Sequence, residues 1–551
     1  MQTIILAAGS IDYKNIAQGL TSSPLLSVVN GRPIISWVLS NILMQTKGFL
    51  TIVINEFDNE MLDFCHKRYV NHTRINICRA ENSSTILHSL MCGIESLPEE
   101  YGPVLINLGD TFLRNATIIN QDLVYVADFS FDSKIWCVVS ITQELEIVQY
   151  HNKKGGFYSP EYKAIVGLYE LSNLNLLKEC LKVSIDEGMI EISDVLEIYH
   201  RTQPIVARIV SQDDWIDFGH LEGLAKARNT LIESRSFNNL TIHPILPEIT
   251  KNSQNNNKIR QEIYWYENLP ISLQSIAPRV LSSNVSDESG MLKMEYYGYG
   301  TLAEKFIYFD LSDSFWENVL SSLFKVIALF KKNTSDVPEK SVSLYNIYQE
   351  KTFLRLDHLC SKDELWTRII NFDEIYVNGH LLMGVPKLKA FIENIISELI
   401  QSPELSIVHG DLCFGNILYD IATGVIKLID PRGEFGGNMP CIYGDSRYDV
   451  AKLRHSFCGN YDCILEGDFD VTYEGNGTFR FSTHKARQKQ RDESFDKLVS
   501  NFGYNLFEIQ FIEALLFLSM LPLHRDSLEK QFSLFLTGLQ KLNECFEKVN
   551  G

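Results

Sequence analysis

The chain has 551 residues, of which 45% are apolar and 22% are charged, and its formal net charge at pH 7 is −19. Its length exceeds the ~250–300 residues at which a single core stops growing, so we expect two or more domains. The acidic balance argues against a general nucleic-acid binder, which needs a basic surface, although a nucleotide needs only a local positive pocket.

Cysteine spacing and hydropathy indicate the compartment. The 11 cysteines are scattered without zinc-ligand spacing, which is typical of free thiols in a reducing cytoplasm. The opening MQTIILAAGS lacks the basic segment and the long apolar run of a signal peptide. The strongest apolar helix, near Ile509–Leu521, is interrupted by Glu513 and is too short to span a bilayer. We predict a cytoplasmic protein with small-molecule substrates and without membrane or nucleic-acid partners; an oligomer is possible.

Short apolar segments alternate with helical periodicity through the first half of the chain. The predicted strands are Thr3–Leu6, Leu50–Ile54, Ile75–Cys78, Val104–Leu108 and Ile135–Ser140. The predicted helices include Ile34–Met44, Thr85–Ile94 and Asn173–Val183. This alternation predicts an α/β domain with a mostly parallel, Rossmann-like sheet. Ligands of such sheets bind at the carboxyl ends of the strands.

The first predicted strand leads directly into a glycine-containing loop. Ile5-Leu-Ala-Ala-Gly9 is followed by polar residues and then by Ser22-Ser-Pro-Leu-Leu-Ser-Val-Val-Asn-Gly-Arg-Pro-Ile-Ile35. Backbone N–H groups of such a loop can face a nucleobase and its phosphates. The predicted nucleotide contacts are Leu6, Ala7, Ala8, Gly9 and Lys14.

This half resembles the sugar nucleotidyltransferase family over roughly residues 1–235. Besides the opening, the resemblance lies in Asn107-Leu-Gly-Asp110, Ala164-Ile-Val-Gly-Leu-Tyr169 and Trp215-Ile-Asp-Phe-Gly-His-Leu-Glu222. It implies that Asp110 and Asp217 bind Mg²⁺. Attack of a phosphate on the α-phosphorus of a nucleoside triphosphate needs charge neutralisation, and two strand-end carboxylates holding one Mg²⁺ can supply it.

The loop after Gly9 departs from the family pattern. It reads Ser10-Ile-Asp-Tyr-Lys14, without the family's second Gly or its Arg, and Ser22 or Ser23 stands where a Lys usually precedes Pro-Leu-Leu. Two expected cations are therefore missing. Either Lys14 or Arg32 substitutes for them, or this domain is slow, unusually selective or inactive.

A polar segment, Lys251-Asn-Ser-Gln-Asn-Asn-Asn-Lys258, precedes the middle of the chain and predicts a loop. We place the domain boundary just before it, with a first domain at residues 1–237 and a second at 238–551. After about Ser312 the pattern is largely helical apart from hairpins around residues 408–430.

The segment Val408-His-Gly-Asp-Leu-Cys-Phe-Gly-Asn416 predicts the chemistry of the second half. Phosphoryl transfer needs one carboxylate to orient a hydroxyl and further oxygen ligands to hold Mg²⁺ on the nucleotide phosphates. Asp411 fits the first role. Asn416, five residues on, and Asp430, at the end of the next hairpin, fit the second.

The arrangement HxDxxxxN followed by a strand-end Asp resembles the aminoglycoside phosphotransferase and choline kinase family. The resemblance covers roughly residues 240–551 and implies a bilobal, protein-kinase-like (α+β) fold. It also implies that Lys251 binds the phosphates of ATP, that Glu262 orients Lys251, and that Met294–Tyr299 is the hinge between lobes. Asp445 is either a substrate contact, or a helix cap or a partner for an Arg. His524-Arg-Asp526 imitates the kinase HRD triplet, but lacks the Asn five residues on and reads as a loop or cap.

The two halves together predict a bifunctional enzyme. An ATP- and Mg²⁺-dependent kinase domain would phosphorylate an alcohol on a sugar, polyol or amino alcohol. A nucleotidyltransferase domain, using CTP or UTP by preference, would then activate the product. The resemblances imply a bacterial surface-polysaccharide precursor, as in capsule or lipopolysaccharide synthesis. The alternatives are a kinase with a non-catalytic, nucleotide-sugar-binding N-terminal module, a scaffold or binding protein, and an antibiotic-modifying phosphotransferase.

Overall fold

The computed structural model describes residues 1–550 apart from 10–22, 70–73, 82–83, 99–101, 130–134, 154, 159, 221–222, 224–225, 228–229, 232–237, 244, 287–288, 310, 336–339, 402–403, 438 and 484–487. The chain divides into two compact units, Met1–Ile232 and Glu233–Gly551. Each unit has its own sheets and its own buried apolar core.

The first unit is an α/β structure. Its strands are β1 (Gln2–Ala7), β2 (Val28–Val29), β3 (Arg32–Pro33), β4 (Leu50–Asn55), β5 (Ile75–Ala80), β6 (Val104–Leu108), β7 (Thr111–Leu113), β8 (Leu123–Ala127), β9 (Val138–Ile141), β10 (Ile147–His151), β11 (Tyr162–Leu171), β12 (Val206–Ile209) and β13 (Trp215–Asp217). Among the described residues, the main sheet has the order β10-β9-β11-β6-β1-β4-β5, with β8 beside β11 and β12 beside β8.

The parallel part of this sheet is β6-β1-β4-β5, and β11 is antiparallel to β6 on its other side. The α/β prediction for this unit is thus confirmed, and four of the five predicted strands lie within two residues of their observed limits. The fifth, Ile135–Ser140, begins only at Val138.

Helices cover both faces of the parallel strands. They are Ile34–Gln45, Asn59–Tyr69, Ile86–Glu95, Leu174–Asp186 and Ile192–Thr202. Side chains of β1 alternate between two cores, with Ile5 and Ala7 in one and Ile4 and Leu6 in the other. This period of two is why the uninterrupted apolar run of β1 reads as a strand buried on both faces.

The second unit combines a small antiparallel sheet with many helices. Its strands are β14 (Asn238–Ile242), β15 (Glu248–Ser253), β16 (Val280–Val285), β17 (Gly290–Glu295), β18 (Glu374–Val377), β19 (His380–Met383), β20 (Leu405–Ile407), β21 (Ile417–Tyr419), β22 (Ile426–Leu428), β23 (Tyr443–Asp445), β24 (Phe469–Gly475) and β25 (Thr478–Thr483). The first four form a sheet in the order β14-β15-β17-β16, and β20-β23 and β21-β22 are two-stranded.

The α-helices of the second unit are Asn256–Asn268, Leu302–Tyr308, Asp313–Lys331, Lys340–Tyr345, Lys351–Cys360, Glu364–Ile370, Val385–Leu399, Ser446–Phe457, Tyr461–Leu465, Gln488–Asn501, Leu506–Met520 and Leu528–Asn550. A π-helical segment, Asn346–Glu350, runs directly into the helix Lys351–Cys360. One continuous apolar core joins the sheet β14-β15-β17-β16 to these helices.

Two expectations for this unit were wrong. The Asn-rich segment is not a loop, because β15 continues to Ser253 and the next helix begins at Asn256, with the Asn255 side chain accepting a hydrogen bond from the Lys258 N–H at 3.1 Å. The helical region also contains an unpredicted sheet, β19-β18-β25-β24. Its hairpins turn at Asn378-Gly379 and Asn476-Gly477, all four residues with positive φ, which is a strong hairpin signal.

The apolar helix is longer than the sequence suggested. An 18-residue stretch, Leu506–Leu523, is long and apolar enough to cross a membrane by length and composition, and 61% of it is buried inside the structure. Within it, the fully buried Glu513 forms ion pairs with Arg454 and, at 3.0 Å, with Lys541. Glu508, near the start of the stretch, pairs with Arg447 at 3.2 Å. These contacts are those of a core helix whose two carboxylates are both paired.

Candidate active sites

Lys251 forms two ion pairs in the second unit. It lies on β15, is 4% exposed, and its Nζ is 2.7 Å from Glu262 Oε2 and 2.7 Å from Asp430 Oδ1. Glu262 lies on the next helix and is buried too. Burial, and then the charge of Asp430, raises the pKa of Glu262 to about 7, while Lys251 opposes the rise. One lysine therefore serves two carboxylates that come from distant segments.

The hairpin β21-β22 brings Asn416 and Asp430 to one end. Asn416 immediately precedes β21, Asp430 follows β22, and the two strands pair with Ile417 opposite Leu428. The Ile429 N–H donates to the Asn416 carbonyl at 3.0 Å, which extends the pairing to the site. Asp430 has a φ of 54°, a strained value for a residue with a side chain, and such strain is frequent at functional positions.

Asp411 is held by two side chains. Asn416 Nδ2 donates to Asp411 Oδ2 at 3.0 Å and to the Asp411 carbonyl at 2.8 Å. Lys452 Nζ, on a buried side chain, is 2.8 Å from Asp411 Oδ1. The Asp411 side chain is 26% exposed. The carboxylate is thus partly open to solvent while its charge is balanced by a cation.

His409 and Asp449 fix the loop that carries Asp411. Asp449 accepts hydrogen bonds from the backbone N–H groups of His409 at 2.7 Å and Gly410 at 2.9 Å. The Asp411 N–H donates to His409 Nδ1 at 3.3 Å, so Nδ1 is unprotonated and Nε2–H donates to the Ile429 carbonyl at 3.0 Å. Burial lowers the pKa of His409 to about 4, in agreement with a neutral ring. The His409 ring therefore connects the Asp411 loop to the segment before Asp430 through hydrogen bonds.

The loop after Asp430 folds back over the Asp411 loop. The Arg432 N–H donates to the His409 carbonyl at 2.9 Å, and a Cβ built on Gly410 would lie 2.8 Å from Arg432 Cβ. Gly410 has a φ of 76°, so conformation and close approach both require glycine there. Arg432 Nε pairs with Glu434. This loop therefore places a cation against Gly410, the residue before Asp411.

Three other positions singled out in the sequence lie outside the cluster around Asp411 and Asp430 or only border it in the chain. Asp445 caps the helix Ser446–Phe457, pairs with Arg447 at 2.7 Å and accepts a hydrogen bond from the Tyr348 hydroxyl at 2.8 Å. These are the contacts of a helix cap and arginine partner. His524–Asp526 lies between two helices, with His524 Nε2 3.2 Å from the Tyr461 hydroxyl oxygen. The proposed hinge, Met294–Tyr299, begins at the end of β17.

In the first unit, two short strands bring Asp110 and Asp217 together. Asp110 lies between β6 and β7, and Asp217 ends β13, which pairs with β7 so that Asp217 is opposite Thr111. A Cβ built on Gly219 would lie 2.8 Å from Asp110 Oδ2 and 2.9 Å from Asp217 Oδ1. Both carboxylates therefore converge over one glycine that has no side chain to separate them.

Among the described residues, a tryptophan and a backbone amide donate hydrogen bonds to this carboxylate pair. Trp136 Nε1 donates to Asp217 Oδ2 at 2.7 Å, the Gly219 N–H donates to Asp217 Oδ1 at 2.8 Å, and His220 Nε2 is 3.6 Å from Asp217 Oδ2. Burial, and then the charge of Asp217, raises the pKa of Asp110 to about 7. Two adjacent carboxylate side chains with this unfavourable charge are a donor set that fits Mg²⁺.

The donor set in the second unit also fits Mg²⁺, since Asn416 and Asp430 offer only oxygen ligands at one end of a hairpin. Among the described residues, no group of three or more His, Cys, Asp or Glu side chains has metal-binding geometry. At either site, water and nucleotide phosphates would have to complete the coordination of the ion, as is usual for Mg²⁺.

A cleft beside Asp110 and Asp217 combines residues of the sequence motifs, such as Tyr169 and His220, with Lys153 and Glu191, which the sequence did not indicate. It is lined by Trp136, Lys153, Tyr169, Glu191 and His220, among others. Lys153 Nζ is 3.2 Å from Glu191 Oε1, and Glu191 begins the helix Ile192–Thr202 in a capping box with Asp194. The capping-box spacing was visible in the sequence, but nothing local linked it to Asp110.

The strand-end loop of the first unit is described only to Gly9, and Lys14 lies outside the described residues. Leu6, Ala7 and Ala8 are buried. Leu6 accepts from the Gly109 N–H at 2.8 Å, and Ala8 accepts from Asn55 Nδ2 at 3.4 Å. Arg32, the other possible replacement cation, is buried with its guanidinium 4.6 Å from the centre of the Trp37 ring. Packing against an aromatic ring is therefore a role that Arg32 already has.

Comparison with known proteins gives structural likeness alone. No family model matches the chain, and no curated protein matches it. Its N-terminal part is similar to solved sugar nucleotidyltransferases. A UDP-glucose pyrophosphorylase complexed with UDP-glucose is 16% identical, with a TM-score of 0.35, 42% of this chain and 97% of that chain covered.

Two further structures give similar values. A UTP-bound UDP-glucose pyrophosphorylase from Acinetobacter baumannii is 13% identical, with a TM-score of 0.35 and coverage of 41% and 91%. HddC from Yersinia pseudotuberculosis, complexed with GMP-PN, is 12% identical, with a TM-score of 0.33 and coverage of 42% and 99%. Similarity at this level does not establish an activity for this chain.

Proposed function

We propose that the chain is a bifunctional enzyme that phosphorylates an alcohol with ATP and then joins the product to a nucleoside monophosphate. The phosphotransferase domain is residues 238–551, with a protein-kinase-like fold, and the nucleotidyltransferase domain is residues 1–237. The observation that carries the proposal is the convergence of Asp411 and Asn416 with the ion-paired Lys251, Glu262 and Asp430.

In the phosphotransferase step, Asp411 orients the acceptor hydroxyl and accepts its proton. The hydroxyl oxygen forms a bond to the γ-phosphorus of ATP as the bond from that phosphorus to the bridging oxygen of ADP breaks. Lys251 contacts the nucleotide phosphates, and Glu262 keeps it in position. Asn416 and Asp430 would hold Mg²⁺, which neutralises charge on the phosphates. Lys452 holds Asp411 in place through the 2.8 Å ion pair.

In the nucleotidyl step, a phosphate oxygen of the phosphorylated acceptor attacks the α-phosphorus of a nucleoside triphosphate, and the bond to pyrophosphate breaks. Asp110 and Asp217 would hold Mg²⁺, which neutralises the reacting phosphates. Within the residues that the structure describes, Asp110 and Asp217 converge without a Lys or Arg at ion-pair distance, which favours this role over a purely binding module. CTP or UTP is the favoured donor, as the family resemblance implies.

The order of the two steps follows from their chemistry, because the phosphorylated alcohol made by one domain is what the other consumes. The activated product suits surface-polysaccharide synthesis in the cytoplasm of a bacterium. A kinase with a non-catalytic nucleotide-sugar-binding module is the second candidate, and the missing loop cations after Gly9 favour it.

The test uses the full chain with ATP, Mg²⁺ and a panel of sugars, polyols and sugar acids, followed by each nucleoside triphosphate. We expect ADP from one class of acceptor and pyrophosphate with CTP or UTP. Asp110→Ala should abolish pyrophosphate release and leave ADP formation intact. Pyrophosphate release that fails for every triphosphate would favour the second candidate. Loss of both activities in Asp110→Ala would contradict the division of labour.

The proposed boundary can be tested separately. A fragment that starts near Asn238 keeps β14, the first strand of the second unit's sheet. We expect it to be soluble and to retain ATP-dependent phosphorylation. Aggregation of several such fragments, while the full chain stays soluble, would indicate a shared core instead.

A further inference from the structure

Basic side chains besides Lys452 lie near Asp411. Lys351 and Arg355 are one turn apart on the helix Lys351–Cys360, so they lie on the same face. Lys351 Nζ donates to the Tyr448 hydroxyl at 3.0 Å and lies 5.4 Å from the centre of that ring. Two like charges on one helical face cost stability, which calls for a functional reason.

Contacts through one helix connect this pair to Asp411. Tyr448 and Lys452 are also one turn apart, on the helix Ser446–Phe457, and Lys452 Nζ is 2.8 Å from Asp411 Oδ1. Lys351 therefore contacts the residue one turn, about 5.4 Å, before the lysine that holds Asp411. Arg432 packs on Gly410, next to Asp411 in the chain.

The carboxylates nearby do not balance these cations. Arg432 pairs with Glu434, and Lys452 pairs with Asp411. In the part of the chain that the structure describes, no carboxylate lies within 4.0 Å of Lys351 or Arg355. Arg355 Nη1 instead donates to the Ser519 carbonyl at 2.8 Å. Burial, followed by the charges of Arg432, Arg355 and Lys452, lowers the pKa of Lys351 well below its usual range, and Asp411 opposes this. The lowered pKa means that Lys351 loses its proton more readily than an ordinary lysine, so an anion beside Lys351 and Arg355 would favour the charged form of this lysine. Basic side chains without a carboxylate partner therefore indicate a site for an anion.

The helix that carries Lys351 is anchored to the loop that carries Arg432. Asn346, in the π-helical segment just before Lys351, donates from Nδ2 to the Gly436 carbonyl at 2.8 Å. A Cβ on Gly436 would lie 1.9 Å from the Ser343 carbonyl oxygen, so the two segments are in direct contact. π-Helical turns are frequent at functional sites. The helix with Lys351 and Arg355 and the loop with Arg432 are therefore held together by the fold, and these three cations are not independent surface side chains.

We propose that the acceptor carries an oxyanion, either a carboxylate or a phosphate, besides the hydroxyl that is phosphorylated, and that Lys351, Arg355 and Arg432 bind this group beside Asp411. The proposal rests on the phosphotransferase function proposed above and names its acceptor class. Planar guanidinium groups and a lysine suit both carboxylate and phosphate oxygens. An acceptor with a quaternary ammonium or several amines would meet three like charges, which disfavours choline-like compounds and aminoglycosides.

A binding experiment tests the site without knowledge of the acceptor. The full chain is saturated with Mg²⁺ and a non-hydrolysable ATP analogue, so that the γ-phosphate position is filled, and is titrated calorimetrically with inorganic phosphate, acetate or choline. We expect phosphate or acetate to bind, choline not to bind, and Lys351→Met to weaken binding by at least ~10-fold. Lys351→Arg should retain more affinity than Lys351→Met. The matched control is Lys362→Met, an exposed lysine just after the same helix, which should bind as the wild type does.

Equal oxyanion affinity in wild type and Lys351→Met, or binding of choline in preference to both anions, would overturn the proposal. If Lys351→Met does not fold, Arg355→Gln provides the same comparison, because its side chain points along the same helical face. Preference for phosphate over acetate, or the reverse, identifies which oxyanion the acceptor carries.

An activity experiment separates acceptor binding from help to the transferred phosphoryl group. ADP formation is compared within matched pairs, glucose with glucuronate, glycerol with glycerate, and glucose with glucose 6-phosphate. We expect the anionic member of a pair to have a kcat/KM at least ~30-fold higher. Arg355→Gln should raise the KM for the anionic acceptor by a larger factor than it lowers kcat. A fall in kcat alone, equal for neutral and anionic acceptors, would assign the cations to the phosphoryl group and reject the proposal.

Failure of the acceptor class and failure of the kinase function have different results. Preferred phosphorylation of neutral or cationic acceptors keeps the kinase and overturns only the oxyanion site. If the chain does not bind Mg²⁺ and the ATP analogue, measured by thermal shift, the phosphotransferase proposal itself fails and the acceptor proposal fails with it.

Discussion

The two candidate sites handle carboxylate charge in opposite ways. In the second unit Asp411, Glu262 and Asp430 all form ion pairs. Lys452 is 2.8 Å from Asp411, and one lysine, Lys251, is 2.7 Å from both Glu262 and Asp430. In the first unit Asp110 and Asp217 converge over Gly219, and their close contacts are with neutral donors such as Trp136. We call the second site balanced because each of these three carboxylates has an ion-pair partner in the chain, with Lys251 shared by two of them. Among the described residues, Asp110 and Asp217 have no Lys or Arg within ion-pair distance, so a divalent ion from solution could neutralise them.

This difference matters for function because burying a charge without a partner costs several kcal/mol. A balanced site keeps its geometry when no metal or nucleotide is bound. The two carboxylates of the first unit repel each other, and a bound divalent ion would reduce that repulsion. The stability of the first unit should therefore depend on whether the ion is bound. Removing a cation from the second site should therefore lower the free energy of unfolding, and removing a carboxylate from the first site should raise it. Only substitutions in the second site should strongly change the kinase reaction.

Asp411→Asn gives the largest expected effect. The amide keeps the shape of the side chain but removes the charge that orients and deprotonates the hydroxyl. We expect kcat for ADP formation to fall by at least ~10²-fold, with the KM for ATP nearly unchanged. Steady-state kinetics of the full chain measures this. Asp357→Asn, an exposed acid on a neighbouring helix, is the control. Near-normal turnover in Asp411→Asn would remove Asp411 from the mechanism.

Lys251→Met tests the balanced charges. It leaves Glu262 and Asp430 without their shared cation, and we expect the free energy of unfolding to fall by about 3 kcal/mol. Urea titration of the full chain measures the loss. The matched control is Lys293→Met, which breaks a half-exposed pair with Glu248 and should cost less than about 1 kcal/mol. Adding Glu262→Leu to Lys251→Met should recover part of the loss. Equal costs for Lys251→Met and Lys293→Met would contradict the contrast between the sites.

How much of these sites the sequence revealed depends on the distance between partners along the chain. Asn416 contacts Asp411 five residues away, and strand patterning placed Asp430 at the end of the next hairpin, so local spacing was sufficient. Lys452 is 41 residues beyond Asp411, on a helix whose pattern indicates only burial. No local rule links such positions, because helix packing determines the contact.

The same reasoning explains which parts of the fold could be predicted from the sequence. Strands β1, β4, β5 and β6 were visible because each is a short apolar run between turn residues. Sheet β19-β18-β25-β24 was missed although both Asn-Gly turns stood in the sequence, since helical patterning on either side dominated the interpretation. Lys351 and Arg355 were missed because a lysine or arginine on an amphipathic helix is most often a solvated side chain.

A pH experiment on His409 sharpens the picture of the balanced site. The ring is buried and neutral, with its pKa lowered to about 4 from an ordinary value of 6.5. Between those values the unfolded chain binds more protons than the folded chain, so stability falls as pH falls from 6.5 towards 4. His409→Gln cannot titrate. We therefore expect the stability advantage of wild type over His409→Gln to shrink by about 2 kcal/mol between pH 7.5 and pH 5. Paired urea titrations at the two pH values measure it, with exposed His380→Gln as the control. A constant difference would mean that folding does not lower the pKa of His409.

Asp110→Asn gives the smallest expected effect, and it is opposite in sign to that of Lys251→Met. Without divalent ions at about pH 8, both Asp110 and Asp217 are ionised and repel, and burial adds to the cost. Removing one charge should raise the free energy of unfolding in EDTA by about 1 kcal/mol. Adding Mg²⁺ should stabilise the wild type, because ligand binding to the folded state adds RT ln(1 + [L]/Kd), and should leave Asp110→Asn nearly unchanged. Asp213→Asn, an exposed acid near β13, should behave as the wild type in both buffers. If Asp110→Asn is less stable than the wild type in EDTA, the carboxylates of the first unit are not an unbalanced pair, and the contrast with the second unit does not hold.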